Sequence, residues 1–151
     1  MRTNYVRGAS VSCSASQAEI RDMLIASGAH GVRFVSVQGN AGITFSSADR
    51  RFRLVLPLPA PTPGTPDPDH GPPRPESSAS ESKAVQDAAR HRWRQLSLLI
   101  RAKLDAVDAG IVTFDEEFLA YVVMPGGGTV FQASAPGIAA AYVKTTGGVT
   151  P

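Results

Sequence analysis

The sequence has very little cysteine and no long apolar run. Its one cysteine, Cys13, cannot form a bridge within the chain, which argues against the oxidising compartments where disulfides stabilise small domains. The first residues, MRTNYVRGASVSC, lack the apolar run of a signal peptide, and the aliphatic cluster at residues 98–100 is too short to cross a bilayer. We therefore expect a cytoplasmic protein without a membrane partner.

Motifs for catalysis and metal binding are also scarce. His30, His70 and His91 fall in a turn, a linker and a helix, with no spacing that resembles a metal-ligand set. The carboxylates at 115–117 are consecutive, and consecutive helical residues point about 100° apart, so they would not converge on one ion. The chain has no nucleophile motif, and its PGGGT segment lacks the lysine of a phosphate-binding loop. Nothing in the sequence calls for an enzyme, a cofactor or a bound metal.

Arginine is abundant and unevenly distributed. The formal net charge is +2, yet residues 1–56 hold seven arginines against three acidic residues. Arginine is suited to bidentate phosphate contacts and to stacking on bases. The basic first part of the chain favours a polyanionic partner, although arginine-rich usage also follows from a GC-rich genome.

A proline-rich tract divides the chain. Residues 57–83 carry nine of the twelve prolines, with glycine, serine and acidic residues and almost nothing to bury. We expect an extended, largely disordered linker between a sheet lobe at 1–56 and a helical segment at 84–151. The tract is either a plain spacer or a polyproline ligand for a partner domain.

Before the linker, the pattern predicts one helix and four strands. Two capping boxes, each a serine followed three residues later by Gln17 or Glu19, predict the start of a helix over 16–28, and Gly28 is a natural stop. Turn residues separate short runs of alternating apolar and polar side chains. The predicted strands cover residues 9–13, 32–37, 43–46 and 51–56.

Alternation along the last three strands predicts two different sheet faces. The face expected to pack on the helix carries Val32, Phe34, Ile43, Phe45, Phe52, Leu54 and Leu56. The opposite face carries Arg33, Val35, Thr44, Ser46, Arg51, Arg53 and Val55. Because a purely solvated face rarely carries several valines, we expect the long helix, another subunit or a ligand to cover part of it.

After the linker, residues 84–109 form the clearest helix of the sequence. Its back carries charges of both signs and is typical of a solvated face, while Arg92 and Lys103 lie at the edge of the apolar stripe, where a charge must snorkel or meet a partner. The stripe itself consists of Val85, Ala89, Trp93, Leu96, Ile100, Leu104 and Val107.

The sequence pattern after residue 110 predicts two more helices. Thr113 and Glu116 form a capping box, and residues 136–143 read as a final short helix. Together the elements predict an α/β chain of the α+β kind, with a three- to four-stranded, mainly antiparallel sheet packed on helices, one of them long, and a small helical C-terminal extension. That extension is expected to pack on Trp93, Leu96 and Ile100.

Three segments, FRLVLPLP, RWRQLSLLIRAKLDAVDAGIVTFDEEFLAYVVMP and GGTV, together resemble an uncharacterised family of small proteins of tailed bacteriophages and prophages. The resemblance covers most of the chain outside the linker and is strongest at residues 92–94, 102–104 and 113–120. The chain departs from it at 126–128, where the family has a turn of the Asp-Gly-Arg type. The resemblance implies a bacterial cytoplasm and a gene neighbourhood of replication, recombination and host takeover, and it carries over no catalytic residues.

The leading functional hypothesis is a non-enzymatic accessory protein that binds DNA or RNA in phage replication or recombination. The order helix, three strands, helix is similar to that of the double-stranded-RNA-binding domain, and the strand meander before a long helix is similar to that of phage strand-annealing recombinases. The alternative is a protein-interaction module that inhibits or adapts a host factor through the valines or the proline tract. Oligomeric state stays open. The candidate nucleic-acid-binding residues are Arg33, Arg51, Arg53, Arg50, Arg92 and Lys103.

Overall fold

The computed structural model describes the backbone of residues 3–58 and 75–147, and the side chains of 13–36, 38–58 and 83–145. It confirms an α+β fold in which a three-stranded antiparallel sheet packs on helices. The elements are α1 (Thr3–Ala26), β1 (His30–Val37), β2 (Asn40–Ser47), β3 (Arg50–Leu56), α2 (Pro75–Asp108), α3 (Phe114–Glu117), a 3-10 turn (Leu119–Tyr121) and α4 (Val130–Gly147).

The sheet is a meander with tight turns, as its turn residues predict. Strand order is β1-β2-β3, and both connections have two central residues with positive φ: Gln38 and Gly39 in the first turn, Ala48 and Asp49 in the second. Such turns match the right-handed twist of the strands that they join. They therefore hold the register that places Phe45 directly opposite Phe52.

The predicted apolar face of the sheet is the core of the molecule. Phe45 and Phe52 stack with ring centroids 5.0 Å apart. Phe114 and Phe118 of the α3 segment meet this pair edge-on, and Phe118 is completely buried. Edge-to-face and offset aromatic pairs add stability beyond the area that they bury. The cluster joins the C-terminal part of the chain to the sheet.

The long helices α1 and α2 cover the same face side by side. The predicted stripe of α2 is confirmed, with Trp93 packed edge-on against Phe34 at a centroid distance of 5.7 Å. Between the helices, Ser97 Oγ donates to Glu19 Oε2 at 3.0 Å. The fully buried core side chains include Ile20, Leu24, Ile43 and Ile100.

Both long helices end in the same backbone motif. After α1, Ala29 N–H donates to the Leu24 carbonyl, and Gly28 has φ +96°. After α2, Ile111 N–H donates to the Ala106 carbonyl, and Gly110 has φ +75°. This is the Schellman motif, which requires a left-handed residue that glycine adopts without steric cost. The predicted stop at Gly28 is confirmed, and Gly110 follows directly on the predicted helix over 84–109.

The predicted strand at 9–13 is wrong, because α1 already begins at Thr3 and runs through it. Cys13 packs against the core, and Ser16, Ile20 and Leu24 are buried at helical spacing after it. The two serine boxes therefore lie inside the helix rather than at its start. Glu19, predicted as a capping residue, bonds to Ser97 instead.

The long helix α2 begins at Pro75 rather than at residue 84, so the predicted linker is too long at its C-terminal end. Proline is compatible with the first turn of a helix, and residues 76–108 contain no further proline. Residues 59–74 lie outside the described part of the chain, and their disorder stays a prediction.

The last helix is also longer than predicted and begins at Val130 instead of residue 136. Thr129 caps it: Gln132 N–H donates to Thr129 Oγ1, while Thr129 N–H donates to Gln132 Oε1. Pro136 consequently lies inside the helix. Phe118 of the C-terminal extension shares the core with Trp93, Leu96 and Ile100, and α3 packs on α2, in agreement with the predicted packing of that extension. The last helix, α4, packs chiefly on the 3-10 turn.

Candidate functional site on the second face of the sheet

The sheet face opposite the core brings together three of the six predicted site residues. Strand register places Arg33 opposite Thr44, Thr44 opposite Arg53, and Ser46 opposite Arg51. The predicted alternation is therefore confirmed. We call this surface the arginine face, and it comprises Arg33, Val35, Thr44, Ser46, Arg51, Arg53 and Val55.

The three arginines are close enough to repel one another. Arg51 and Arg53 are two residues apart on β3, which separates their backbones by about 7 Å, and Arg33 lies two strands from Arg53, about 10 Å away. These separations are at or below the Debye length of about 8–10 Å at physiological salt. Within the described side chains, no carboxylate is paired with any of the three. In the part of the chain that the structure describes, the face is therefore a concentration of positive charge without a paired acid.

One of the three guanidinium groups is held in place by the rim of the sheet. Arg53 Nη2 donates to the Gly127 carbonyl at 3.0 Å, and the Arg53 side chain is half-buried, while Arg33 and Arg51 are exposed. The turn that carries Gly127 is fixed to β3, because Val123 N–H donates to the Arg51 carbonyl at 2.8 Å. A guanidinium has five N–H donors, so Arg53 keeps donors for a ligand.

Two valines lie at one end of the arginine face. Val35 and Val55 both stand opposite Gly42, one on each side, and are 37% and 42% exposed. Because glycine has no side chain, the two valines flank a shallow slot. The long helix, one of the three covers expected for this face, packs on the core face instead. Of the three expected covers, another subunit and a ligand remain as candidates.

Arg50 precedes Arg51 in β3, and alternation along the strand places it on the other face of the sheet. Its Nη1 is 2.8 Å from Asp115 Oδ1, and both side chains are about half exposed. Exposed pairs of this kind contribute little to stability. Arg50 is thus partly neutralised at the end of the strand.

Lys103 is turned inward and is not available to a ligand on the arginine face. Only 15% of its side chain is exposed, and Nζ is 2.9 Å from Glu117 Oε1. The ammonium also lies above the rings of Phe118 and Tyr121, 5.8 and 5.4 Å from their centroids. Arg92 is exposed, but on α2, which packs on the opposite face of the sheet.

The consecutive carboxylates at 115–117 have three separate partners. Asp115 pairs with Arg50, Glu117 pairs with Lys103, and Glu116 accepts a hydrogen bond from Thr113 Oγ1. Thr113 in turn accepts from Glu116 N–H, so the predicted cap of α3 is confirmed. In the described part of the chain, no group of three or more His, Cys, Asp or Glu side chains is placed to hold a metal ion.

A second cluster of charged groups lies in a cleft of about 490 Å³ between α1 and α2, which sequence reasoning did not single out. Of its two arginines, Arg90 and Arg94, the first pairs with Asp87 at 2.7 Å, as the spacing of three predicts. Cys13 is half-buried near Arg90. Burial raises the pKa of the Cys13 thiol above its usual range, and the positive charge of Arg90 partly opposes that rise. Since the acids of this cleft have partners of their own, the arginine face is the better binding candidate.

No family model, curated protein or solved structure matches this chain. The similarities of element order noted from the sequence therefore rest on element order alone. Nor does any described helix combine the length and apolar character that a bilayer crossing requires.

Proposed function

We propose that this chain is a non-enzymatic accessory protein that binds nucleic acid through its arginine face. One observation carries the proposal: Arg33, Arg51 and Arg53 share the side of the sheet that faces away from α1 and α2, and no described carboxylate is paired with them. A bound phosphate backbone would relieve the repulsion among the three charges. Each guanidinium could grip a phosphate bidentately.

The composition of the face favours backbone contacts over base reading. Thr44 and Ser46 place hydroxyls between the arginines, where they could donate to phosphate or sugar oxygens. The sheet phenylalanines belong to the core, so among the described residues the face has no phenylalanine, tyrosine or tryptophan ring on which bases could stack. We therefore propose binding that depends little on base sequence. The resemblance to phage proteins suggests a role in replication or recombination in a bacterial cytoplasm.

The salt dependence of binding tests this proposal. If about three phosphates are neutralised, a plot of log binding constant against log salt concentration should have a slope of about −2 to −3. Fluorescence anisotropy with single- and double-stranded oligonucleotides of several sequences measures this slope. Similar affinities across those sequences are also expected.

Two double charge reversals, one on the arginine face and one on α2, test whether nucleic acid contacts the arginine face. The double variant Arg33→Glu, Arg51→Glu should lose at least tenfold in affinity at low salt and should flatten the salt slope to about −1 or less. The double variant Arg94→Glu, Arg101→Glu changes the net charge equally, but on exposed positions of α2, and should bind almost as well as the unaltered chain. Equal losses in both variants, or binding without salt dependence, would contradict the proposal.

A second candidate function is supported by the valine pair. Val35 and Val55, flanking Gly42, form an apolar strip on an otherwise charged face, which suits a protein partner better than a phosphate backbone. In that case the chain would be an adaptor or inhibitor of a host protein. The variant Val35→Ser, Val55→Ser separates the two functions: it should leave oligonucleotide affinity unchanged but abolish capture of one stoichiometric protein from nuclease-treated lysate.

A further inference from the structure

The two edges of the sheet have different surroundings. At the β3 edge, Val123 N–H donates to the Arg51 carbonyl and Val122 bridges to Phe52, so a later segment of the chain covers part of that edge. β1 is the opposite edge strand, and no strand or bridge among the described residues pairs with its outer side. An uncovered edge presents unpaired N–H and C=O groups to which another strand can add.

The register of the sheet shows which backbone groups of β1 point outward. Val37 and Asn40 flank a two-residue turn and therefore exchange backbone hydrogen bonds, as does every second pair after them. The N–H and C=O groups of Phe34 and Ser36 occupy the intervening positions and point away from β2. The same alternation on β3 makes the Arg51 carbonyl point outward, in agreement with the hydrogen bond that it accepts at that edge.

The outer side of β1 lacks most of the features that prevent edge pairing. Proteins commonly protect such edges with lysine, proline, inward-pointing charges or bulges. β1 has no lysine, proline or acidic residue, and the irregularity in its register lies between His30 and Arg33, where Gly31 has φ +65°. Residues 33–37 pair regularly with β2 and can therefore accept a regular strand on their other side.

The core face is open beside the last part of β1. Phe34 is half-buried against Trp93, whereas Ser36, on the same face, is exposed. Ser36 lies in one row with Ala41 and Leu56, and Leu56 is buried, so the core covers the β3 end of this row and not the β1 end. In an antiparallel pair of β1 strands, the covered part of one strand would lie beside the uncovered part of the other.

We propose that two copies of this chain associate through β1, paired antiparallel about a twofold axis at Val35. In this register Phe34 exchanges backbone hydrogen bonds with the partner subunit's Ser36, which satisfies the regular outward groups of both copies. The two Val35 side chains form a non-hydrogen-bonded pair, the kind in which side chains lie closer together. The two subunits then share one continuous antiparallel sheet.

The pairing accounts for the exposed valine at this edge. Val35 is 37% exposed on a face that otherwise carries mainly arginines and hydroxyls, and the partner subunit's Val35 would cover it. Arg33 stands opposite the partner subunit's Val37, about 13 Å along the strands from the partner subunit's Arg33. No like charges therefore lie opposite each other, and the edge is self-complementary, as a twofold interface must be.

Sedimentation equilibrium of the full-length chain tests the association. We expect a monomer–dimer equilibrium with a dissociation constant of about 1–100 µM, because one strand pair buries less surface than a standard interface. Val35→Lys should weaken the dimer at least about tenfold, because it places two ammonium groups opposite each other at the axis.

Val55→Lys is the matched control. Val55 is the other valine that flanks Gly42 and is 42% exposed, but it lies on β3, two strands from the proposed interface. This variant should dimerise as the unaltered chain does. Far-UV circular dichroism shows whether each variant keeps its fold.

Cysteine cross-linking tests the register itself. In a Cys13→Ala background, Val35→Cys should form a covalent dimer on mild oxidation, because the Cα atoms of a non-hydrogen-bonded pair are about 4.5 Å apart, within the range of a disulfide. Val55→Cys in the same background should remain a monomer on a non-reducing gel at the same concentration.

Three results would overturn the proposal. The first is a monomer at all concentrations up to about 100 µM, a weak affinity for a specific interface. The second is a dimer that Val35→Lys leaves unchanged, or that the two lysine variants weaken equally. The third is a Val35→Cys variant that cross-links no more than Val55→Cys does.

Discussion

At the scale of single residues, the pKa of the Cys13 thiol depends on burial and on one neighbouring cation. Cys13 lies on α1 against the core and is half-buried, which raises its pKa because the thiolate loses hydration. Arg90 of α2 stabilises the thiolate and acts in the opposite sense. At neutral pH the thiol is therefore protonated and a poor nucleophile.

Removing that cation should make the thiol less reactive. In Arg90→Gln we expect alkylation by iodoacetamide at pH 8.5 to slow, because loss of the positive charge raises the pKa of the Cys13 thiol further and lowers the thiolate fraction. Arg94→Gln, an exposed cation one turn along the same helix, should have a smaller effect. An unchanged or faster rate in Arg90→Gln would contradict the assigned contact.

The raised pKa of Cys13 also determines the direction in which the free energy of unfolding changes with pH. A thiol whose pKa is higher in the folded than in the unfolded chain contributes stability that is complete below the unfolded pKa. That contribution is lost as the pH rises through the folded pKa. The free energy of unfolding should accordingly fall above about pH 9 in the unaltered chain, and less so in Cys13→Ala.

The residue types alone do not show which cations lie on the arginine face and which pair with a carboxylate. Alternation along β1 and β3 correctly places Arg33, Arg51 and Arg53 on one face, because period-two geometry is local. The position of Lys103 at the edge of a helical stripe predicts only that it snorkels or meets a partner. That partner, Glu117, follows the reversal of the chain at Gly110, and no local pattern specifies where such a reversal leads.

At the scale of elements, the ends of α1 and α2 are more strongly specified than their starts. Gly28 and Gly110 occupy left-handed positions in identical motifs, while α1 begins well before any capping signal. The sequence does not predict that α1 extends over residues 9–13, because these residues mix small and polar side chains without a clear period. The Thr129–Gln132 cap of α4 is visible in the sequence, but Pro136 reads as a helix start and hides it.

Gly110→Ala should test the importance of the motif at the end of α2. An added Cβ would meet no heavy atom within 4 Å, so the cost is conformational, about 1–2 kcal/mol for a left-handed residue other than glycine. Gly110→Asn should cost less, since asparagine tolerates this region. Urea denaturation measures both, and equal stability of all three proteins would contradict the motif.

At the scale of the whole molecule, one aromatic cluster joins distant parts of the chain. Phe45 and Phe52 come from the sheet, and Phe114 and Phe118 come from the far side of the proline tract and α2. Alternation along the strands predicts that Phe45 and Phe52 lie on the core face of the sheet, but no pattern assigns Phe114 and Phe118 to the core. Sequence patterns do not predict that the four meet, because that contact depends on the path of the chain between them.

Phe118→Ala should therefore destabilise the whole fold rather than α3 alone. Phe118 is completely buried, and such truncations cost about 3–5 kcal/mol, a large share of the 5–15 kcal/mol that typically holds a domain together. Leu98→Ala, at a position that is 53% exposed, should cost less than about 0.5 kcal/mol. A single cooperative transition shifted to lower urea is expected, and loss of α3 with an intact sheet would contradict it.

The hydrogen bond from Val123 N–H to the Arg51 carbonyl also has a consequence for biosynthesis. While the ribosome is still adding α2, a nascent chain already contains α1 and all three strands, but the phenylalanine side of its sheet lacks α2, Phe114 and Phe118, and the outer edge of β3 lacks Val123. Proteins emerge at about 5–20 residues per second, so this vulnerable interval lasts for seconds. A translation pause near Gly110 would prolong it, and those seconds are when the new protein is most in need of a chaperone.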